Sequence, residues 1–455
     1  MSTFLEVEPE RRKQSKGMMK AKLENWASKL GQYRIFTNAF ALVISTGGSG
    51  ALGILYWYFA THLTSQTFVG RAAAEIAAIT LLSSLSQLGF GPVFQRYLPG
   101  AADKAKRLVL TAYTLCTGLA LTIGATYVAL GLAHRFYKPS LQWSLLFIVT
   151  VVFYTIFGLQ DYALVSLRVS RWVAVENNLF GIAKIFLLFP FAAYAAGQGI
   201  ILSWTIPVFL TILAVNWYIF RRRLPIYLLE STLREPLPSL PRILAMTIPQ
   251  YMTTILSIFS TSVVALIVIT RRGATENAFY FLAAQIASAP TMLLWSVSRL
   301  FVVEAVHEPH RLRRTLSHGV IAMSIIVVLS MGVGITFAHQ FLSIFGTAYA
   351  DHGTTLLRLL LLALPGSAVS AIYVAFAWID GRLWYLTIRE GISMIVYLSI
   401  IFIFIGKSGI NAVGYAAVAT SVVEFVLFMP ITVRRIRAIP RTANKPVATQ
   451  RDQHH

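Results

Sequence analysis

The chain has 455 residues, of which 56% are hydrophobic and only 13% charged, about half the ~25% charged share of soluble domains. Apolar runs near 20 residues recur along its whole length, and each is long enough to cross a ~30 Å hydrocarbon layer as a helix. This excludes a soluble multidomain enzyme. The net charge of +21, from 39 Lys+Arg against 18 Asp+Glu, admits either nucleic-acid binding or the cytoplasmic Lys/Arg excess of membrane proteins. A single cysteine, Cys116, rules out an intrachain disulfide and a cysteine metal cluster.

Residues 1–38 are polar and basic. Met19, Leu23, Trp26, Leu30 and Tyr33 recur at steps of four and three, which predicts an amphipathic helix in the headgroup layer. No clear small-residue cleavage motif follows the first apolar run, so a cleavable signal peptide is not expected. Twelve apolar segments follow. The first six lie near 39–61, 72–94, 108–133, 141–160, 173–195 and 199–220. The second six lie near 243–270, 277–298, 315–338, 355–378, 384–406 and 410–433. The predicted fold is an all-α polytopic membrane protein. Its parts are a six-helix bundle over 39–220, a proline-rich linker over 221–242, a second bundle over 243–433 and a basic tail over 434–455.

An even number of spans and a basic N-terminus predict that both termini are cytoplasmic. On that topology 31 of the 39 Lys+Arg fall on the cytoplasmic side, 7 fall outside and Lys184 lies within a span. Loop charge sets orientation in this way, so most of the excess is explained without nucleic acid. The halves also repeat. Ala73-Ala74-Glu75-Ile76-Ala77 aligns with Ala283-Ala284-Gln285-Ile286-Ala287 at an offset of 210, and Tyr162 through Arg171 aligns with Tyr373 through Arg382 at 211. Six spans return the chain to its starting side. The repeats are therefore parallel, an architecture typical of transporters.

The stretch from Ala60 to Pro99 contains Gly70 after a polar turn, then Leu88-Gly89-Phe90-Gly91-Pro92, then Arg96-Tyr97. Further on come Phe345-Gly346-Thr347-Ala348-Tyr349-Ala350 and Leu356-Leu357-Arg358-Leu359, with Asn38 and Pro249 at other positions. In these the chain resembles bacterial polysaccharide flippases. These are the lipid-linked oligosaccharide exporters of the multidrug/oligosaccharidyl-lipid/polysaccharide superfamily. The resemblance covers most of residues 38–433. It implies a MATE-like arrangement of two bundles around a central cavity in the bacterial inner (plasma) membrane. It also implies a cargo of oligosaccharide on a polyprenyl diphosphate, for cell-surface polysaccharide biosynthesis. Three positions depart from the family pattern. His62 stands where an arginine is frequent, Ala278 replaces a common glycine, and the seventh span carries no acidic residue.

Ionisable groups at mid-bilayer cost roughly 2.5–3.5 kcal/mol, so they face a partner or a wet cavity. Lys184 is the deepest base, and either a substrate diphosphate, a coupling ion in the cavity, a structural carboxylate or snorkelling satisfies it. Arg96 and Arg299 end the second and eighth spans and suit either headgroup anchoring or diphosphate capture. Arg389 adjoins Glu390, which either neutralises it or leaves it free for a cavity. With His62, these are the substrate-binding candidates. Glu75 and Glu424 are the coupling-ion candidates, against a surface pair with Arg71 for the first and a structural contact for the second. Tyr56, Trp57 and Tyr58 look like an interfacial aromatic belt, and Pro207, Pro290 and Pro365 predict bends.

Gly47-Gly48-Ser49-Gly50 lacks the Gly-Lys-Ser/Thr of a phosphate loop, and His307-Glu308-Pro309-His310 lacks zinc-site spacing. No catalytic residue, metal or cofactor is expected. The expected partners are the lipid-linked substrate, membrane lipids and polysaccharide polymerase or export proteins, with no nucleic acid. A cation-coupled multidrug exporter on the same fold is the first alternative, favoured by an acidic, aromatic cavity where a basic one favours the flippase. A membrane glycosyltransferase, polymerase or ligase is the second, and the short outer loops argue against it.

Overall fold

The computed structural model describes residue 48 and residues 50–101, 104–137, 140–194, 197–230, 240–307 and 312–438. The expected amphipathic segment at 1–38, the start of the first span, residues 231–239 of the linker and the tail beyond 438 lie outside these. From Gly50 onward the described chain is one compact unit.

The first half contains α1 (residues 50–63), α2 (Gln66–Ser86), α3 (Phe90–Tyr97), α4 (Ala105–Ala129), α5 (Leu141–Ser166), α6 (Arg171–Tyr194), α7 (Gly199–Tyr218) and α8 (Leu224–Glu230). The second contains α9 (Leu240–Arg272), α10 (Ala274–His307), α11 (Leu312–Thr336), α12 (Ala338–Ser343), α13 (Thr347–Leu362), α14 (Leu364–Ile379), α15 (Leu383–Ser408) and α16 (Asn411–Arg437). Among the described residues, 10 helices are long and apolar enough to cross a membrane, and α13 with α14 forms one more span bent by 40°. With α1 as the described part of the first span, this is the expected all-α polytopic fold.

Local chemistry sets several boundaries. Ser65 and Ser140 cap α2 and α5 by accepting from the backbone N–H of Phe68 and Trp143, so each helix starts where its first orphan donors are satisfied. Pro365, in the first turn of α14, lies at the bend. Pro207 and Pro290 sit within α7 and α10. The linker expectation changes at its start. After α7 one turn of π-helix over Ile219–Arg223 leads directly into α8, so helix continues to Glu230.

The helices alternate between two ends. One end carries Arg96, Arg168, Arg171, Arg221, Arg222, Arg223, Arg382, Arg434 and Arg435, and it is called the basic end below. At the opposite end α2 and α10, equivalent by the internal repeat, meet closely. Asn277 donates from Nδ2 to the Gly70 carbonyl at 2.7 Å, and the Thr67 and Thr275 hydroxyls lie 3.2 Å apart. A Cβ added to Gly70 would stand 1.7 Å from the Ala274 carbonyl oxygen, so only glycine permits this approach. The two halves are thus pinned together at the end opposite the basic end.

Candidate functional site

Toward the basic end, a cavity of about 390 Å³ opens between the first bundle and α9. Its walls come from the end of α2 and the turn into α3, from α5 and from α9. Ser84, Gln87, Gln95, Thr254, Tyr162 and Tyr251 supply hydroxyl and amide groups, and Asp161 is the only charged residue of the described lining. The turn Leu88-Gly89-Phe90-Gly91-Pro92 is shaped by the two tyrosines. Gly89 is left-handed at φ 75° and a Cβ there would lie 3.2 Å from Tyr251. A Cβ on Gly91 would lie 2.6 Å from the Tyr162 ring. Tyr251 also donates to the Leu85 carbonyl at 2.8 Å, joining α9 to α2 beside the cavity.

None of Lys184, Arg96, Arg299, Arg389 and His62 lines this cavity. Arg96 and Arg299 are exposed at the basic end, Arg96 adjoining the lining residue Gln95. His62 is exposed on α1, with Nδ1 2.8 Å from the Tyr58 carbonyl.

Lys184 is 7% exposed, and among the described residues no carboxylate lies within ion-pair distance of it. Its partners are aromatic faces instead. The Nζ stands 4.3 Å from the ring centre of Trp204, 5.0 Å from Tyr56 and 5.2 Å from Phe180. A desolvated cation over a ring gains about 2 kcal/mol, which offsets much of the burial cost. The belt expectation for Tyr56 and Trp57 is thereby corrected. Both are buried, Tyr56 hydrogen-bonds to Ser203 at 2.7 Å, and Trp57 packs on Phe281 of the second bundle. Tyr56 faces Lys184 and Trp57 joins the aromatic cluster of Tyr56, Trp204 and Phe281.

Arg389 has the opposite environment. Its guanidinium donates to Glu390, to Glu424 at 2.5 Å and to Ser370 at 3.1 Å, while Ser393 donates to Glu424 at 2.7 Å. Two carboxylates thus surround one base inside the second bundle, and Glu424 is held in that network. Glu75, by contrast, is 2% exposed and makes no ion pair with Arg71, because its side chain turns into the bundle rather than along the helix surface.

A second acidic group escaped sequence reasoning. Asp161 on α5 and Glu176 on α6 face each other within hydrogen-bonding reach. Neither is singled out by the sequence: Asp161 follows the expected end of the fourth segment at 160, and Glu176 lies near the expected start of the fifth at 173. The helices run to Ser166 and from Arg171, which carries both acids inside. Among the described residues no group of three or more His, Cys, Asp or Glu is placed to hold a metal ion.

No family model matches the chain, and no curated protein matches it in sequence. Solved structures do match. An inward-facing multidrug resistance MATE family transporter of the MOP superfamily shares the fold at a TM-score of 0.64 and 17% identity, covering 87% of this chain and 96% of that one. The lipid II flippase MurJ, in an inward closed conformation, matches at 0.62 and 16% identity, covering 87% of each chain. An outward-facing multidrug resistance MATE family transporter matches at 0.52 and 16% identity, with 89% and 95% covered. At these identities the likeness establishes a MATE- and MurJ-like fold.

Proposed function

We propose that the protein is a flippase that moves a polyprenyl-diphosphate-linked oligosaccharide across the bacterial plasma membrane by alternating access, for cell-surface polysaccharide biosynthesis. The observation that carries this is the cavity. It lies toward the basic end and offers chiefly amides and hydroxyls, while the Gly70–Ala274 contact joins the two halves at the opposite end of α2. Such groups match sugar hydroxyls one for one, and a hydroxylated cargo otherwise loses its hydration in hydrocarbon. With the basic end and both termini cytoplasmic, the headgroup enters from the cytoplasm while the lipid tail stays in the bilayer. Arg96, beside Gln95, makes the first contact with the diphosphate, and Arg299 approaches from the second bundle. Lys184 lies deeper, where its charge becomes available as the bundles rock. No covalent bond changes, so the protein is a carrier and not an enzyme. Polysaccharide polymerase or export proteins are the expected partners. The higher TM-score to the inward-facing than to the outward-facing transporter supports the cytoplasm-open reading.

One observation favours a second reading. The only charge in the described lining is an acid, Asp161, flanked by Tyr162 and Tyr251, which suits an organic cation and hence a cation-coupled multidrug exporter. Deletion of the gene separates the two. A flippase leaves a lipid-linked oligosaccharide accumulated on the cytoplasmic leaflet. An exporter leaves lipid intermediates unchanged and sensitises the cell to cationic compounds.

A further inference from the structure

The basic end of the second bundle holds another pocket, of about 300 Å³, between α14, α15 and α16. Part of its wall is apolar and aromatic, from Tyr373 and Phe376 on α14 and Ile431 on α16. The rest carries three exposed arginines and one acid. Asp380 pairs with Arg435, whereas Arg382 and Arg434 have no carboxylate within ion-pair distance among the described residues. The Arg382 guanidinium lies 5.7 Å from the ring centre of Tyr385. The described lining thus keeps a surplus of two positive charges.

A buried hydroxyl of the same pocket lacks a partner. Thr432 is 3% exposed and lines the pocket, yet its Oγ1 makes no hydrogen bond. Thr150, Thr155 and Thr205, also buried in helices, each donate to the carbonyl four residues back. Native interiors leave few such groups unpaired, so an acceptor brought by a ligand would complete Thr432. The repeated backbone does not require this arrangement. At the offset of 211, Arg435 corresponds to Leu224 and Ala438 to Tyr227. Leu224 and Tyr227 are buried in the first bundle with Leu98, Leu164 and Leu167, and Tyr227 donates to the Pro99 carbonyl. Two positions of the pocket are thus core in the other bundle.

The surroundings set the depth. Trp378, Trp384 and Tyr385 are exposed at the ends of α14 and α15. Exposed Trp and Tyr at the ends of spanning helices mark the headgroup level, and basic pockets between helices at that level suit anionic headgroups. A free phosphate would satisfy the arginines but leave the apolar wall uncovered. A lipid covers both.

We propose that this pocket binds an anionic glycerophospholipid, its phosphate held by Arg382 and Arg434, a headgroup oxygen accepting from Thr432 and an acyl chain lying along Tyr373, Phe376 and Ile431. Arg435, fixed by Asp380, forms one side of the opening. The bound lipid ties α16 to α14 and α15 and leaves the cargo cavity untouched. The site stands whether that cavity carries sugar or drug.

The test is native mass spectrometry of the full chain, delipidated in detergent and given phosphatidylglycerol and phosphatidylethanolamine in equal amounts. One phosphatidylglycerol should stay bound in preference to phosphatidylethanolamine. Arg382→Gln combined with Arg434→Gln should lower that preference about tenfold. Thr432→Val should lower it less, and Arg434→Lys should keep most of it. Arg221→Gln combined with Arg222→Gln, exposed at the same end of the first bundle, should leave it unchanged. Thermal unfolding of each sample reports folding. Should the double variant not fold, Arg434→Gln alone carries the comparison with Arg221→Gln. Overturning results are equal retention of the two lipids, a preference unchanged by the loss of Arg382 and Arg434, or an equal loss in the first-bundle variant, which would reduce the effect to surface charge. Displacement of phosphatidylglycerol by inorganic phosphate at constant ionic strength would also overturn it, because the ligand would then be a free anion. Transport is not read, so failure here leaves the flippase reading intact.

Discussion

In the second bundle Arg389 lies between Glu390 and Glu424, whereas in the first bundle, among the described residues, Lys184 lies over aromatic rings and Glu176 faces Asp161 and the Gln160 amide. The internal repeat makes the contrast sharper. At the offset of 211, Arg389 corresponds to Asn178, Glu424 to Leu213, Lys184 to Ile395 and Glu176 to Thr387. The duplicated backbone is shared, but the buried charge is not. A closed ion network satisfies itself and fixes its helices to one another. In the first bundle the faces of Trp204, Tyr56 and Phe180 support Lys184 instead, and among the described residues no base pairs with Asp161 or Glu176.

The largest effect should come from opening the closed network. Arg389→Ala leaves Glu390 and Glu424 buried without a base, and breaking a buried pair in this way costs about 3–5 kcal/mol. Thermal unfolding in detergent should fall accordingly. Adding Glu424→Gln should return part of the loss, and strict additivity would show that the two side chains do not act together. Next in size is Gly70→Val at the sealed end. Its branched side chain must displace the Ala274 carbonyl, and overpacking of that kind costs about 1–3 kcal/mol. Disulfide trapping across Thr67 and Thr275 should become slower in that variant.

The cage around Lys184 predicts a smaller, pairwise effect. In a double-mutant cycle Lys184→Met and Trp204→Leu should couple by about 1–2 kcal/mol, and zero coupling would remove the ring from the lysine's support. For transport, Lys184→Arg should retain substantial activity, while well-folded Lys184→Gln loses most of it. Tyr251→Phe removes one hydrogen bond between α9 and α2, worth about 1 kcal/mol. Cysteine labelling of Thr254 from the basic end should rise in that variant. Smallest of all is Glu176→Gln. It replaces one carboxyl of a buried pair that has no base among the described residues, so its unfolding midpoint should stay or rise, unlike that of Arg389→Ala. A large loss would erase the contrast between the bundles.

The fold was readable in the sequence because span length, loop charge and the repeat offset report the same physical constraint, the thickness of the hydrocarbon layer. The sites were less readable. Lys184 stood out as a lone base in an apolar run, but its partners are far apart in sequence and apolar themselves. Tyr56 and Trp57 carry the same signal whether they face an interface or a buried cation. Asp161 and Glu176 gave no signal in the sequence, because they lie 15 residues apart near the ends of two expected spans and meet only through the packing of α5 on α6. The pairing of Arg389 with Glu390 was visible as adjacency, whereas its bond to Glu424 depends on how α15 packs against α16.

The central claim is that the cavity carries a lipid-linked sugar, and reconstitution tests it most directly. Purified protein is placed in liposomes whose inner leaflet holds a fluorescent polyprenyl-diphosphate oligosaccharide, and the fraction reaching an outside glycosidase is followed over time. The account predicts protein-dependent exposure of the sugar, slowed in Lys184→Gln. No exposure above protein-free liposomes, together with proton-driven movement of a cationic dye by the same preparation, would contradict it.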